Sequence, residues 1–224
     1  SRDEPVGQVT VGLPPTIGRQ LTLPLIDGFR RRMPRARLAI VEGLSTHIAE
    51  WITSGRVDLG LLYNPEAQPG LEIEAVLEEI LCLVQPATAD EADLRGPLPL
   101  RDLGQFPLVL PERAHVIRRL LETQSMLAGL RLDIAWEVSS VAAIIDLVCA
   151  GYGHAVLTAS AVAASGRADA LSVRPIVEPS LPSVLCLAAS SRQRATPLMR
   201  LTRSLLTDLA RNLPQAAAAQ SLPG

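Results

Sequence analysis

Residues 36–63 read ARLAIVEGLSTHIAEWITSGRVDLGLLY, and the fold is decided there. Leu38 to Val41 is a short apolar run of strand length, and Gly43 opens the turn after it. Ser45 and Thr46 are natural N-cap residues, and Glu50 suits the positive end of a helix. Leu44, Ile48, Trp51 and Ile52 fall at i, i+4, i+7 and i+8, which is one helical stripe, and Gly55 ends it. Val57 to Leu62 resumes as an almost wholly apolar strand. The spacing predicts strand, helix, strand, with both strands buried on both faces in a parallel sheet. The chemical product is a helix N-terminus carrying hydroxyls beside the carboxyl end of a strand. Open α/β sheets hold small ligands, and anions above all, at such a place.

The chain has 224 residues, enough for one large domain or two small ones. Its 48% hydrophobic and 20% charged content describes a well-packed globular protein. Only 3% of residues are aromatic, which disfavours aromatic cages and base-stacking platforms. A net charge of −2 leaves no electrostatic footprint for nucleic acid or a membrane surface. Cys82, Cys149 and Cys186 lie in apolar runs without CxxC spacing, so buried thiols in a reducing, cytoplasmic setting are expected. The opening Ser1-Arg2-Asp3-Glu4-Pro5 is polar and unlike a secretion signal. The uncharged window Leu147 to Gly166 is interrupted at Gly151 and Gly153, so it reads as helix end, strand and short helix, not a membrane span.

Before the central unit, Val9 to Leu13 reads as a strand that Pro14-Pro15-Thr16 ends. A helical turn from Thr16 leads into Leu21 to Met33, with Leu21, Leu25, Phe29 and Met33 four apart and Arg30 to Arg32 at the C-terminal end. Pro24 fits that helix only near a first turn or a kink. After it come two strands, Leu71 to Val76 and Ile80 to Val84, then a composition change from Gln85. Strands are expected at Phe106–Leu110, Ile134–Val138, His154–Leu157, Leu171–Arg174 and Val184–Ala188. Helices are expected over Arg113–Leu127, with Ile117, Leu120, Leu121, Gln124 and Leu127 on one side, after Ser139-Ser140, and from Pro197. Crossings near Gln85–Ala89 and Glu178–Pro182 imply a bilobal α/β protein with a cleft between its lobes.

Three phrases carry a family resemblance: VTVGLPPTIGRQLTLPLIDGFRRRMPRARL, EGLSTHIAEWITSGRVDLGLL and EVSSVAAIIDLVCAGYGHAVLTASAV. They resemble the effector-binding domain of LysR-type bacterial transcriptional regulators, over nearly the whole chain. EGLSTH, DLGLLYNP and PGLEIE are nearest to the nitrogen-assimilation control subgroup. The resemblance implies an α/β, type II periplasmic-binding-protein-like fold, two Rossmann-like lobes joined by two crossover strands. Lobe I is expected at 7–86 and 183–213, lobe II at 87–182, and a flexible tail at 214–224. The winged helix-turn-helix that such a regulator carries is absent from this sequence, and residues 2–7 look like the end of its linker. DNA is then reached only through that missing domain.

Three hydroxyl-bearing turns are candidates for one pocket: Pro14 to Thr16, Ser45-Thr46 and Ser139-Ser140. Each opens a helix and offers free N–H groups, a hydroxyl and the positive end of a helix dipole. On spacing alone all three are equally ordinary N-caps, each worth about 1 kcal/mol. The resemblance places effector contacts at positions matching Thr16, Thr46 and the Ser139–Ser140 turn. Pro14 either touches the ligand by shaping its loop or only ends the strand, and Ser45 stands beside Thr46. It implies a small effector, a carboxylate or other anion, and a homodimer or homotetramer through helices near residues 22–33 and 113–127. Leu23, Ile26 and Val116 would serve that contact or, equally, belong to the core.

No catalytic residue, metal site or cofactor is expected. Ser45 lacks the strained G-x-S-x-G elbow that a neighbouring His47 would need, and His115 and His154 have no spaced partners for a metal. Gly151-Tyr152-Gly153 follows a helix and lacks the third glycine of a dinucleotide fingerprint. A periplasmic solute receptor on the same fold is the alternative function, and an enzyme on such a scaffold the third.

Overall fold

The computed structural model describes residues 4–87 and 96–214. The start of the expected linker end, part of the crossing expected at Gln85–Ala89 and nearly all of the expected tail lie outside the described residues. The chain forms two compact units, one of residues up to Glu78 with Val184–Leu213 and the other built on Glu79–Ser183.

In the first unit the strands are β1 (Gly7–Leu13), β2 (Ala36–Glu42), β3 (Leu59–Tyr63) and most of β10 (Pro182–Ser190). Their order is β2-β1-β3-β10. β1 runs parallel to both neighbours, and β10 runs antiparallel to β3. β2 and β3, expected as one strand–helix–strand unit, therefore flank β1. β2 is an edge strand and only half-buried, against the expectation of burial on both faces.

Side-chain alternation gives this sheet two faces. Val9, Val11, Leu13, Leu59 and Leu61 face the helices α1 (Pro15–Arg32) and α6 (Pro197–Arg211) through Ile17, Leu21, Leu25, Phe29 and Leu205. On the other face Leu62 and Ala188 meet Ile48 and Ile52 of α2 (Ser45–Thr53). Gly12 and Gly60 stand under Ile48, where a Cβ would come within 3.0 and 2.7 Å of its Cγ2. Those two strand glycines let α2 lie close to the sheet. α1 is one continuous helix with Pro24 inside it. The hydrogen bond that Pro24 cannot donate is outweighed by Leu21, Leu25 and Phe29, each burial being worth about 1.5–3 kcal/mol.

β4 (Leu71–Pro86) is one 16-residue strand where two were expected, and it passes from the first unit into the second after Glu78. Its later part pairs antiparallel with β8 (Ala155–Thr158) and β9 (Leu171–Val177). β5 (Leu98–Pro99) adds to β9 in parallel and leads into a short 3-10 turn, Leu100–Gln105. β6 (Pro107–Leu110) and β7 (Asp133–Glu137) form a separate parallel pair. The helices are α3 (Val116–Leu127), α4 (Val141–Cys149) and α5 (Ala159–Ala164).

α3 starts three residues later than expected because His115 is its N-cap, its Nδ1 accepting the Ile117 N–H at 3.1 Å. Leu127, expected on the buried side, is exposed, and Arg118 is buried in its stead. That guanidinium reaches the Pro111 carbonyl, Glu122 and Glu137 at 2.9, 2.8 and 3.3 Å. A buried charge with three acceptors is tolerated where a bare one is not.

Candidate functional site

The last paired rung of β1 and β2 joins Leu13 to Glu42, and the Gly43 amide donates to the Leu13 carbonyl at 3.2 Å. α1 begins two residues after the first strand and α2 three residues after the second. Both helix starts therefore open at the same end of neighbouring parallel strands. Pro14 is the buried N-cap of α1, and Pro15 takes the first helical position, where the missing N–H costs nothing. The first intrahelical bond is Gly18 N–H to the Pro14 carbonyl at 2.8 Å, which leaves the amides of Thr16 and Ile17 free. Thr16 is partly exposed, and its carbonyl accepts from Gln20 Nε2 at 3.0 Å.

At α2 the expected capping is corrected. Leu44 is the N-cap and makes no side-chain cap bond, so Ser45 and Thr46 are the first two helical residues. The Ser45 hydroxyl faces the sheet instead, is buried, and accepts the Tyr63 N–H at 3.0 Å. Ile48 donates to the Leu44 carbonyl at 3.0 Å, leaving the amides of Ser45, Thr46 and His47 without helical partners. Thr46 is partly exposed and His47 exposed, its ring 6.3 Å from that of Trp51. Pro14, Thr16, Ser45 and Thr46 thus gather at one edge of the first unit.

Ser139 and Ser140 belong to the second unit, and both are exposed. Ser140 is the N-cap of α4, its Oγ accepting the Ala143 N–H at 3.3 Å. Capping satisfies that hydroxyl in part and leaves the amides of Val141 and Ala142 at the helix end.

A polar cluster that spacing did not reveal lies on β4 and α5. Glu79 Oε2 accepts from Ser160 Oγ at 3.0 Å, and Ser160 Oγ lies 3.2 Å from Thr158 Oγ1. Burial raises the Glu79 carboxyl above the usual range, and hydrogen bonds from Ser160 and Thr158 partly offset this. Burial and the Glu79 charge push the Cys82 thiol up to about 12, so it is inert as a nucleophile. Burial lowers His115 to about 4 and also lowers His154. Among the described residues no group of His, Cys, Asp and Glu could hold a metal ion, and no helix is long and apolar enough to cross a membrane.

The family described as LysR substrate binding domain matches residues 2–211. The chain belongs to that family. As a LysR substrate binding domain it has the type II periplasmic-binding-protein-like fold, two α/β units linked by β4 and β10. It is similar to the HTH-type transcriptional regulator BbuR of Bordetella bronchiseptica, 28% identical over 96% of this chain and 64% of that protein. It is also similar to the nitrogen assimilation regulatory protein of Klebsiella aerogenes, 26% identical over 91% of this chain and 66% of that protein. The chain therefore spans just under two thirds of these relatives' lengths. Among solved structures it is similar to the Synechocystis CcmR regulatory domain in complex with 2-PG, at a TM-score of 0.77 and 16% identity, covering 97% of this chain and all of that one.

Proposed function

We propose that this LysR substrate binding domain is the metabolite-sensing and subunit-association part of a cytoplasmic, non-enzymatic LysR-type transcription regulator. The observation that carries the reading is the pair of helix starts at Thr16 and Thr46, open at one edge of parallel strands with five backbone amides unused by their helices. A small carboxylate or similar anion suits those donors without a buried cation. Its contacts are Thr16 and Thr46, with Pro14 fixing the first turn and Ser45 holding the second from behind. In the second unit taken by itself, Ser139 and Ser140 at the start of α4 are proposed as effector-contact residues. CcmR, a structural neighbour, holds 2-PG, an example of a small ligand on this fold.

Exposed Leu23 and Ile26 on α1, with half-buried Val116 on α3, are assigned to a homodimer or homotetramer contact. DNA binding belongs to a winged helix-turn-helix elsewhere in the parent protein. Ligand binding then shifts that protein's DNA affinity by no more than the ligand's preference between two states. Relatives named as transcription regulators favour this over a periplasmic solute receptor.

The test is a thermal-shift screen of the chain and its Thr46→Val and Thr16→Val variants against small carboxylates and phosphate esters. At least one compound should raise the wild-type melting temperature, and both variants should lose that rise while keeping their unliganded stability. Equal shifts in all three proteins would remove Thr16 and Thr46 from the site.

A further inference from the structure

Strand β3 ends where α2 begins to be held, and one residue beyond it sits Asn64, with φ at 42°. In the antiparallel register Tyr63 pairs with Leu185, so Asn64 and Val184 form the next rung. The Asn64 amide donates to the Val184 carbonyl at 2.9 Å. Asn64 has a left-handed backbone, and its side chain answers Val184 on this rung: Oδ1 accepts the Val184 N–H at 2.8 Å. Asparagine is among the few non-glycine residues that adopt this backbone readily, and its side chain mimics a peptide carbonyl.

Val184 is also the residue at which β10 enters the first unit, Ser183 being the last of the second. One residue before Asn64, Tyr63 donates its amide to the Ser45 hydroxyl, at the first turn of α2. Two consecutive amides of one strand end thus look to different elements, Tyr63 to the helix start and Asn64 to the crossing strand.

We propose that Ser45 and Asn64 are positioning residues of one hydrogen-bonded relay, running from the first turn of α2 through Tyr63 to β10 at its point of entry. Resting on the proposed sensing role of Thr46, the relay gives that helix turn a direct hold on one of the two strands joining the units. A shift of α2 on ligand binding pulls Tyr63 by its amide and, through the next peptide, the Asn64–Val184 rung. Coupling of this kind is carried by contiguous hydrogen bonds between rigid elements and is measurable as an energy between the two ends.

The experiment is amide hydrogen exchange on the unliganded chain, read at Tyr63, Val184 and, as a distant control, Val11, in Ser45→Ala, Asn64→Gly, Asn64→Asp and the Ser45→Ala/Asn64→Gly pair. Losing a hydrogen bond of ordinary net strength changes a local opening equilibrium about fivefold. Asn64→Gly keeps the backbone freedom and loses the acceptor, so Val184 exchange should rise by about that factor. Asn64→Asp keeps both and should leave it unchanged. Ser45→Ala should raise exchange at Val184 as well as Tyr63, and the pair should fall short of the product of the single effects, with Val11 steady throughout. If Ser45→Ala accelerates Tyr63 alone, or the pair multiplies, the two bonds are independent and the relay is refuted. Because no ligand is used, that outcome is separate from the thermal-shift test of Thr16 and Thr46.

Discussion

The indole of Trp51 lies on the backbone of Gly43: a Cβ at Gly43 would stand 2.6 Å from Cη2 and 2.7 Å from Cζ3. Arg56 covers the ring as well, its guanidinium carbon 4.9 Å from the centroid. The turn between β2 and α2 is therefore held by a side chain from the helix's own later turn, one helical stripe folded back on its start. Gly43→Ala should destabilise the chain by about 1–3 kcal/mol, since the ring must leave its place. In Trp51→Ala the same substitution should cost far less, so a double-mutant cycle in urea should be strongly non-additive. Additive costs would mean that the contact is energetically idle.

Two further glycines separate cheap from costly crowding. At Gly18 of α1, an added Cβ meets the carboxylate end of Glu42, an exposed side chain free to swing aside. Gly18→Ala should then be neutral or stabilising by up to about 1 kcal/mol, the helix-propensity difference. At Gly60 the Cβ meets Ile48 at 2.7 Å and Ile52 at 3.1 Å, both wholly buried. Gly60→Ala should cost about 1–3 kcal/mol, as read from urea midpoints with an unchanged slope.

His115 caps α3 as a neutral imidazole, and burial holds it down to about 4 against 6.5 for the free side chain. Its folded pKa is depressed, so the folded state takes up fewer protons than the unfolded chain between those values. The resulting stability is fully present above about pH 6.5 and is lost as pH falls toward 4. His115→Asn keeps a capping acceptor and removes the titration. Its stability should fall less steeply than the wild type's between pH 6.5 and 4 in urea melts, and parallel curves would contradict the assignment.

On α1, Leu23 is 79% exposed and Ile26 49%, an apolar pair on the side away from the core. Leu23→Asp should weaken self-association at least about tenfold in sedimentation equilibrium, as removal of a central apolar contact does. A wild-type chain that stays monomeric at high concentration would refute the assignment of this face.

The order of elements was legible because period and punctuation agreed: the apolar runs of β1 and β3, the four-residue spacing on α1, and the glycines at 55 and 151 that end helices at positive φ. The long β4 reads as two strands because Glu78 and Glu79 interrupt its apolar pattern, while the backbone stays extended through them as one strand. The neighbourhood of Thr16 and Thr46 could be anticipated, since parallel strands place their following helices at one sheet edge. The role of Ser45 could not, because its hydroxyl is claimed by Tyr63, 18 residues away in sequence. Glu79 with Ser160 and Asn64 with Val184 escaped for the same reason: each bond spans 81 or 120 residues, and nothing local signals it.

The most direct measurement is a titration of the isotope-labelled chain with small carboxylates, followed at its backbone amides by NMR. A ligand seated at the two helix starts should shift the amides of Thr16, Ile17, Ser45, Thr46 and His47 more than any others in the first unit, to a common saturation curve. A saturating ligand that leaves those five amides unmoved, and perturbs other surfaces of the unit instead, would contradict the site.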